Sequence, residues 1–298
     1  MTGKVEVNPV ADCTPNTVPI IPDDWAALGV TSGYNPKSVE ALRLFIVGPS
    51  GEGKTTFDSS IGDNIILDFD DGANACPGSK SVRIHIKDYS HFDAVITKFV
   101  ADSAANKRHW VRVSFDTIDE VIAMIKHQLE EEKKCEDITE FGSMGHGYNL
   151  ILERLWSKVL DLEQAGYSWA FLGHMRNKTE VDPTTRKEVT KVRESVYPII
   201  AKKILTKADF KLTIYCLPQT VENKIKKVLP GGKVIEVPVG TTTKLTYYLD
   251  SMTTEARDNK SRGVPTMDRK FEIPLVGGWD IFKKKYEDAV EAARKQYK

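Results

Sequence analysis

From Gly48 to Thr56 the chain reads Gly-Pro-Ser-Gly-Glu-Gly-Lys-Thr-Thr, the spacing G-x-x-x-x-G-K-[ST] of a phosphate-binding loop. Gly48, Gly51 and Gly53 let the backbone wrap a polyphosphate with its N–H groups pointing inward. Pro49, Ser50 and Glu52 fill the variable positions, and Thr56 follows the motif. Lys54 is placed to reach the β- and γ-phosphates, and the Thr55 hydroxyl to ligate Mg²⁺. Leu42, Leu44, Phe45, Ile46 and Val47 form an apolar run that reads as a buried strand feeding the loop. With that strand before it and a helix start after it, a chance glycine-rich turn is a poor account of the motif. A nucleoside triphosphate is the expected ligand.

Hydrolysis needs more groups at the ends of neighbouring strands. Asp116, closing "WVRVSFD", is placed to hold the metal; the competing role is a cap on the helix that follows. Arg112 and Ser114 interleave in that strand, which predicts one partly exposed face. In "NIILDFDDG", Asp68 and Asp70 share a face by strand alternation while Asp71 points away. Asp70 lies nearer the carboxyl edge, where open α/β sheets bind ligands, and is the candidate to orient water, with Asp68 behind it. A plain polar turn is the alternative. His174 ends "SWAFLGH", where a polar side chain can sense the γ-phosphate.

The segment after His174 reads as a basic loop. From Arg176 to Lys203, eight cations, Arg176, Lys178, Arg186 and Lys187 among them, stand against four acids. A hairpin over about 221–239, turning at Pro230-Gly231-Gly232, adds Lys224, Lys226 and Lys227. Each charge run alone suits a solvated face. Together, beside a nucleotide-sensing strand tip, they suit a nucleic-acid phosphate backbone. Arg257, Lys260 and Arg262 cluster later and suit either a neighbour's γ-phosphate or a basic loop against DNA or solvent.

The elements that must position these groups alternate. Strand and helix patterns follow each other from the loop to about residue 217, which predicts a mostly parallel sheet covered by helices. Residues 1–38, broken by five prolines, read as an extended arm with a short turn near "DDWAALG"; residues 39–298 read as one ATPase domain. An amphipathic helix over about 279–297 closes the chain. Lys+Arg and Asp+Glu both number 42, so any anion-binding surface must be local. Four widely spaced cysteines suggest reduced thiols, not a disulfide frame. The N-terminal residues show neither a signal peptide's apolar core nor a transit peptide's arginines, and with no window of about 18 apolar residues no membrane span is expected.

The order P-loop, "ILDFDDG", "VSFDTIDEVI", "FLGHMRNK", "ARDNKSRGVPTMDRKFEIP" resembles phage-encoded RecA-like ATPases, closest to the compact Sak-group recombinases that pair with single-strand binding proteins. The resemblance spans about residues 40–280 and implies a RecA-like α/β core, ATP with Mg²⁺, and single-stranded DNA as partner. It also implies a homo-oligomer with nucleotide at subunit interfaces, in the cytoplasm of an infected bacterial host. The family's strand-end glutamate matches Asp70, one methylene shorter, and its polar sensor matches His174. Lys260 and Arg262 match the basic pair that reaches across the interface. The expected function is ATP-dependent annealing or strand exchange. The rivals are a helicase-like motor or loader, and an annealing module with structural ATP.

Overall fold

The computed structural model describes residues 23–27, 34–70, 76, 78–143, 145–181, 188–228, 234–252, 260–262, 264 and 266–296. Most of the proline-broken arm therefore lies outside the described residues, apart from a short helix α1 (Asp23–Ala27) and residues 34–38. Asp71, Arg186, Lys187, Arg257 and the turn at Pro230-Gly231-Gly232 lie outside them too.

The core is a large sheet. Its elements are β1 (Leu44–Gly48), α2 (Lys54–Ser59), β2 (Asn64–Asp68), β3 (Val82–His85), α3 (Tyr89–Ala104), β4 (Arg112–Asp116) and α4 (Ile118–Lys133). Then come α5 (His146–Gln164), β5 (Ser168–Val181), β6 (Glu188–Glu194), α6 (Pro198–Lys207), β7 (Phe210–Val228), β8 (Val234–Asp250), β9 (Lys260–Ser261), β10 (Lys270–Ile273) and α7 (Gly278–Gln296). The strand order is β10-β8-β7-β1-β5-β4-β2-β3, parallel from β7 through β3 and antiparallel at β8 and β10.

Strand alternation sorts the core into two layers. Phe45 and Val47 point into a cluster with α3, α4, α5 and α6, built on residues such as Phe92, Ile125, Leu155 and Ile200. Leu44 and Ile46 point into a second cluster with α2 and α7, built on Phe57, Trp279, Phe282 and Tyr286. Both faces of the parallel strands are thus covered, which is why β1 reads as an unbroken apolar run. Among the described residues, no helix is long and apolar enough to cross a membrane.

Three expectations change. The basic "loop" after His174 is a β arm: β5 runs on to Val181, and β6 returns antiparallel beside it from Glu188 to Glu194. The separate strand and hairpin expected over 210–239 are one long ribbon, with β7 and β8 paired from Thr213↔Asp250 to Val228↔Val234. Pro218 hid that continuity. Its neighbour of like parity, Cys216, aims its N–H toward the phosphate loop. The donor that Pro218 lacks therefore faces an edge that β1, paired only as far as Thr213, does not reach.

The third change concerns β4, which is buried on both faces. Ser114 Oγ donates to Asp58 Oδ1 at 2.9 Å, and one Arg112 terminal nitrogen sits 3.0–3.2 Å from the carbonyls of Val39, Glu40 and Leu42. The Arg112 guanidinium also lies over the Trp279 ring at 4.9 Å. Polar residues in this strand serve the interior, because α2 and α7 bring partners to them.

Candidate nucleotide site

The phosphate loop leaves β1 at Gly48, where a Cβ would come 2.2 Å from the Ile214 carbonyl oxygen of β7. Only glycine allows strands β1 and β7 to lie that close as the loop departs. Gly51 and Gly53 take positive φ, 77° and 88°, which turns the chain back onto α2. Lys54 and Thr55 then open α2, with Lys54 only 5% exposed.

Lys54 Nζ donates to the Pro49 carbonyl at 2.7 Å and lies 3.5 Å from His174 Nδ1. Burial lowers the lysine's pKa, while the carboxylates of Asp116, Glu52, Asp119 and Asp70 oppose that and favour its charge. Thr55 Oγ1 donates to Asp116 Oδ2 at 2.8 Å. Burial pushes the Asp116 carboxyl up to about 7, Thr55 works against that, and Asp58, Asp70 and Asp68 add to it. A hydroxyl and a nearly buried carboxylate in contact make a hard-oxygen pair of the kind Mg²⁺ takes beside substrate phosphates. The residues present fit that ion.

Sequence spacing therefore named groups that the fold does bring together: Lys54, Thr55, Asp116 and His174. Gly48 pairs with His174, and Asp68 with Asp116, in the parallel register, so strand tips meet at one edge. The Phe69 N–H donates to the Asp116 carbonyl at 2.9 Å, which brings the acids after β2 to the same edge. The strand ends at Asp68, however, so alternation does not carry on to Asp70. Asp68 is buried, and Asp70, two residues beyond the strand end, is exposed.

Lys260 and Arg262 are not at this edge. β9 pairs with the start of β7, and Lys260 Nζ and an Arg262 terminal nitrogen both donate to the Thr206 carbonyl at 2.8 Å. They hold the last turn of α6 in their own chain, at the end of the sheet away from the phosphate loop. Arg176, Lys224, Lys226 and Lys227 are exposed on the two arms. Lys178 lies on β5 within the first arm.

Those arms define the surroundings of the loop. The two sheet neighbours of β1 are β5 and β7, and both continue past its end, so a β arm rises on each side of the phosphate loop. Each arm is tied to the site by a carboxylate. Glu52 Oε2 accepts from Cys216 N at 2.7 Å, and Asp119 Oδ2 accepts from His174 N at 3.1 Å. Sequence reading missed this role of Glu52 and missed Asp119 altogether. It also missed an apolar wall: a Cβ on Gly53 would meet Leu275 Cδ1 at 3.3 Å and the Tyr247 ring at 3.7 Å. Leu275 is 41% exposed beside the loop. The only sequence trace of that wall is an apolar pair left outside β10, just before Gly277-Gly278.

A parallel sheet, a glycine loop at the end of its inner strand, and a Thr–Asp pair beside a buried lysine define a P-loop nucleotide-binding protein. The family model described as AAA domain matches residues 40–258. The chain belongs to that AAA family of ATPase-type domains, a membership that implies nucleotide-dependent activity. No curated protein matches the chain.

Proposed function

We propose that this protein is an ATP-dependent, single-stranded-DNA-binding recombinase of the RecA-like kind its sequence resembles, promoting annealing or strand exchange. The observation that carries the reading is the site edge itself. Lys54, Thr55, Asp116 and His174 converge there between two β arms, with cations exposed along them.

The P-loop backbone and Lys54 bind the triphosphate, and the base lies toward the Tyr247–Leu275 wall. Thr55 and Asp116 hold Mg²⁺, which when bound neutralises charge on the β- and γ-phosphate oxygens. Asp70 orients the attacking water from the exposed side, and His174 senses the γ-phosphate. Arg176, Lys178, Lys224, Lys226 and Lys227 on the arms contact the DNA backbone, whatever its sequence, and Arg186 and Lys187, which lie outside the described residues, join them. Lys260 and Arg262 complete the site of an adjacent subunit in a homo-oligomer. To do so they must release the α6 carbonyls they hold. A single-strand binding protein is the companion that delivers DNA.

The test is fluorescence anisotropy of labelled oligonucleotides with ATP, ADP or no nucleotide. Single strands should bind more tightly than duplex, and ATP should change that affinity. Equal binding of single and double strands with no nucleotide effect would remove DNA from the account and leave an ATPase of other purpose.

A further inference from the structure

The foot of the β5–β6 arm is gathered on one side chain. The His174 N–H donates to Asp119 Oδ2 at 3.1 Å, and Ser195 Oγ donates to Asp119 Oδ1. Ser195 also donates its N–H to the His174 carbonyl at 3.0 Å. Asp119 therefore holds, with one oxygen, the outgoing strand where His174 faces Lys54. With the other it holds the first residue after the returning strand. Its own place is fixed in the first turn of α4, three positions beyond Asp116. Asp119 and Ser195 line a cavity of about 210 Å³ together with Lys126 and Tyr197, so the joint has room to shift.

We infer that Asp119 is a positioning residue that couples the phosphate state of the nucleotide site to the posture of the β5–β6 arm. The inference rests on the nucleotide reading above. A triphosphate that draws Lys54 and His174 changes the backbone position of His174. The shared carboxylate passes that change to Ser195 and so to β6. A carboxylate suits the task because both oxygens must accept; an amide keeps only one acceptor. The plainer role for an acid at this position is to support the start of α4, and the two roles separate by experiment.

Hydrogen exchange in 176–181 and 188–194 is measured with Mg²⁺ and either ADP or a slowly hydrolysed ATP analogue. Analogue affinity is measured in parallel. In the wild type, arm protection should differ between the two nucleotides by at least ~5-fold, the low end of allosteric couplings. Asp119→Ala should bind the analogue almost as well yet lose that difference, and Asp119→Asn should lose part of it. Ser195→Ala should behave like the alanine variant, while Ser195→Thr, which keeps a hydroxyl, should retain the difference. If Asp119→Ala does not fold, the Ser195 pair decides. Combining His174→Ala with Asp119→Ala should cost no more coupling than either alone, since both break one path. Raised exchange in both nucleotide states with the difference preserved would overturn the coupling and leave a helix-supporting acid. Failure of the wild type to bind the analogue would overturn the nucleotide reading and the coupling with it.

Discussion

Lys54 reaches its place by local sequence: the residue after Gly53 in an αL turn opens α2 and is buried at once. Removing its charge by Lys54→Ala should lower ATP binding or turnover by at least ~100-fold, the scale of losing one electrostatic stabiliser. Asp116→Asn should spare nucleotide binding more than turnover and shift the Mg²⁺ titration to higher concentration; identical titrations would reduce Asp116 to a helix cap. Asp58 gives a pH prediction away from the metal. Burial pushes its carboxyl up to about 6, against Ser114, Arg112 and Asn64, which lower it. A group that binds its proton more tightly when folded stabilises the fold at low pH, and that contribution fades as pH rises through the folded value. Urea melts should therefore show wild-type stability, relative to Asp58→Asn, falling by about 2 kcal/mol between pH 4 and pH 7. A flat difference would mean that burial does not raise the Asp58 pKa and that its carboxyl ionises in the fold as readily as in the unfolded chain. At this scale Lys54, Thr55 and Asp116 were legible because a motif and a strand end fix them locally. Tyr247, Leu275, Asp119 and Ser195 were not, because their partners are distant in sequence and only the sheet order brings them near.

The elements show where sequence punctuation misleads. Pro218 and the basic run after His174 read as breaks, yet both lie on strands that outrun their neighbours, and an unpaired edge tolerates what a central strand would not. The alternation in "EVTKVRE" was the available sign of β6, masked by its charges. The parallel core itself was legible, since strands covered on both faces, β1 above all, read as apolar runs. Close approach sets the strictest demands here. In α5, a Cβ on Gly147 would fall 1.6 Å from the Ile138 carbonyl oxygen. Gly147→Ala should cost ~1–3 kcal/mol in a urea or thermal melt, as overpacking does; a neutral result would mean that the turn before α5 moves freely. Replacing Arg176, Lys178, Arg186 and Lys187 with alanine should weaken single-stranded DNA binding for all sequences. The slope of log affinity against log salt should become shallower by ~0.7 per lost contact. An unchanged slope would make these cations a solvated face.

The whole molecule carries equal numbers of acidic and basic residues, so its field does not select a polyanion. On the proposed reading, selection of DNA comes from the arms on either side of the phosphate loop. The opposite end of the sheet holds Lys260 and Arg262 against α6, and their action on a neighbour's site is testable by mixing. Arg262→Ala should bind ATP yet hydrolyse it slowly, and mixing it with Lys54→Ala should restore part of the rate. No rescue in confirmed mixed oligomers would confine the pair to a structural role. The most direct measurement is the steady-state ATPase rate of the wild type and of Lys54→Ala, each with Mg²⁺, with and without single-stranded DNA. The account predicts Mg²⁺-dependent hydrolysis by the wild type that DNA accelerates, and a background rate from the variant in both conditions. Equal rates for the two proteins, or a wild-type rate indifferent to DNA, would contradict it.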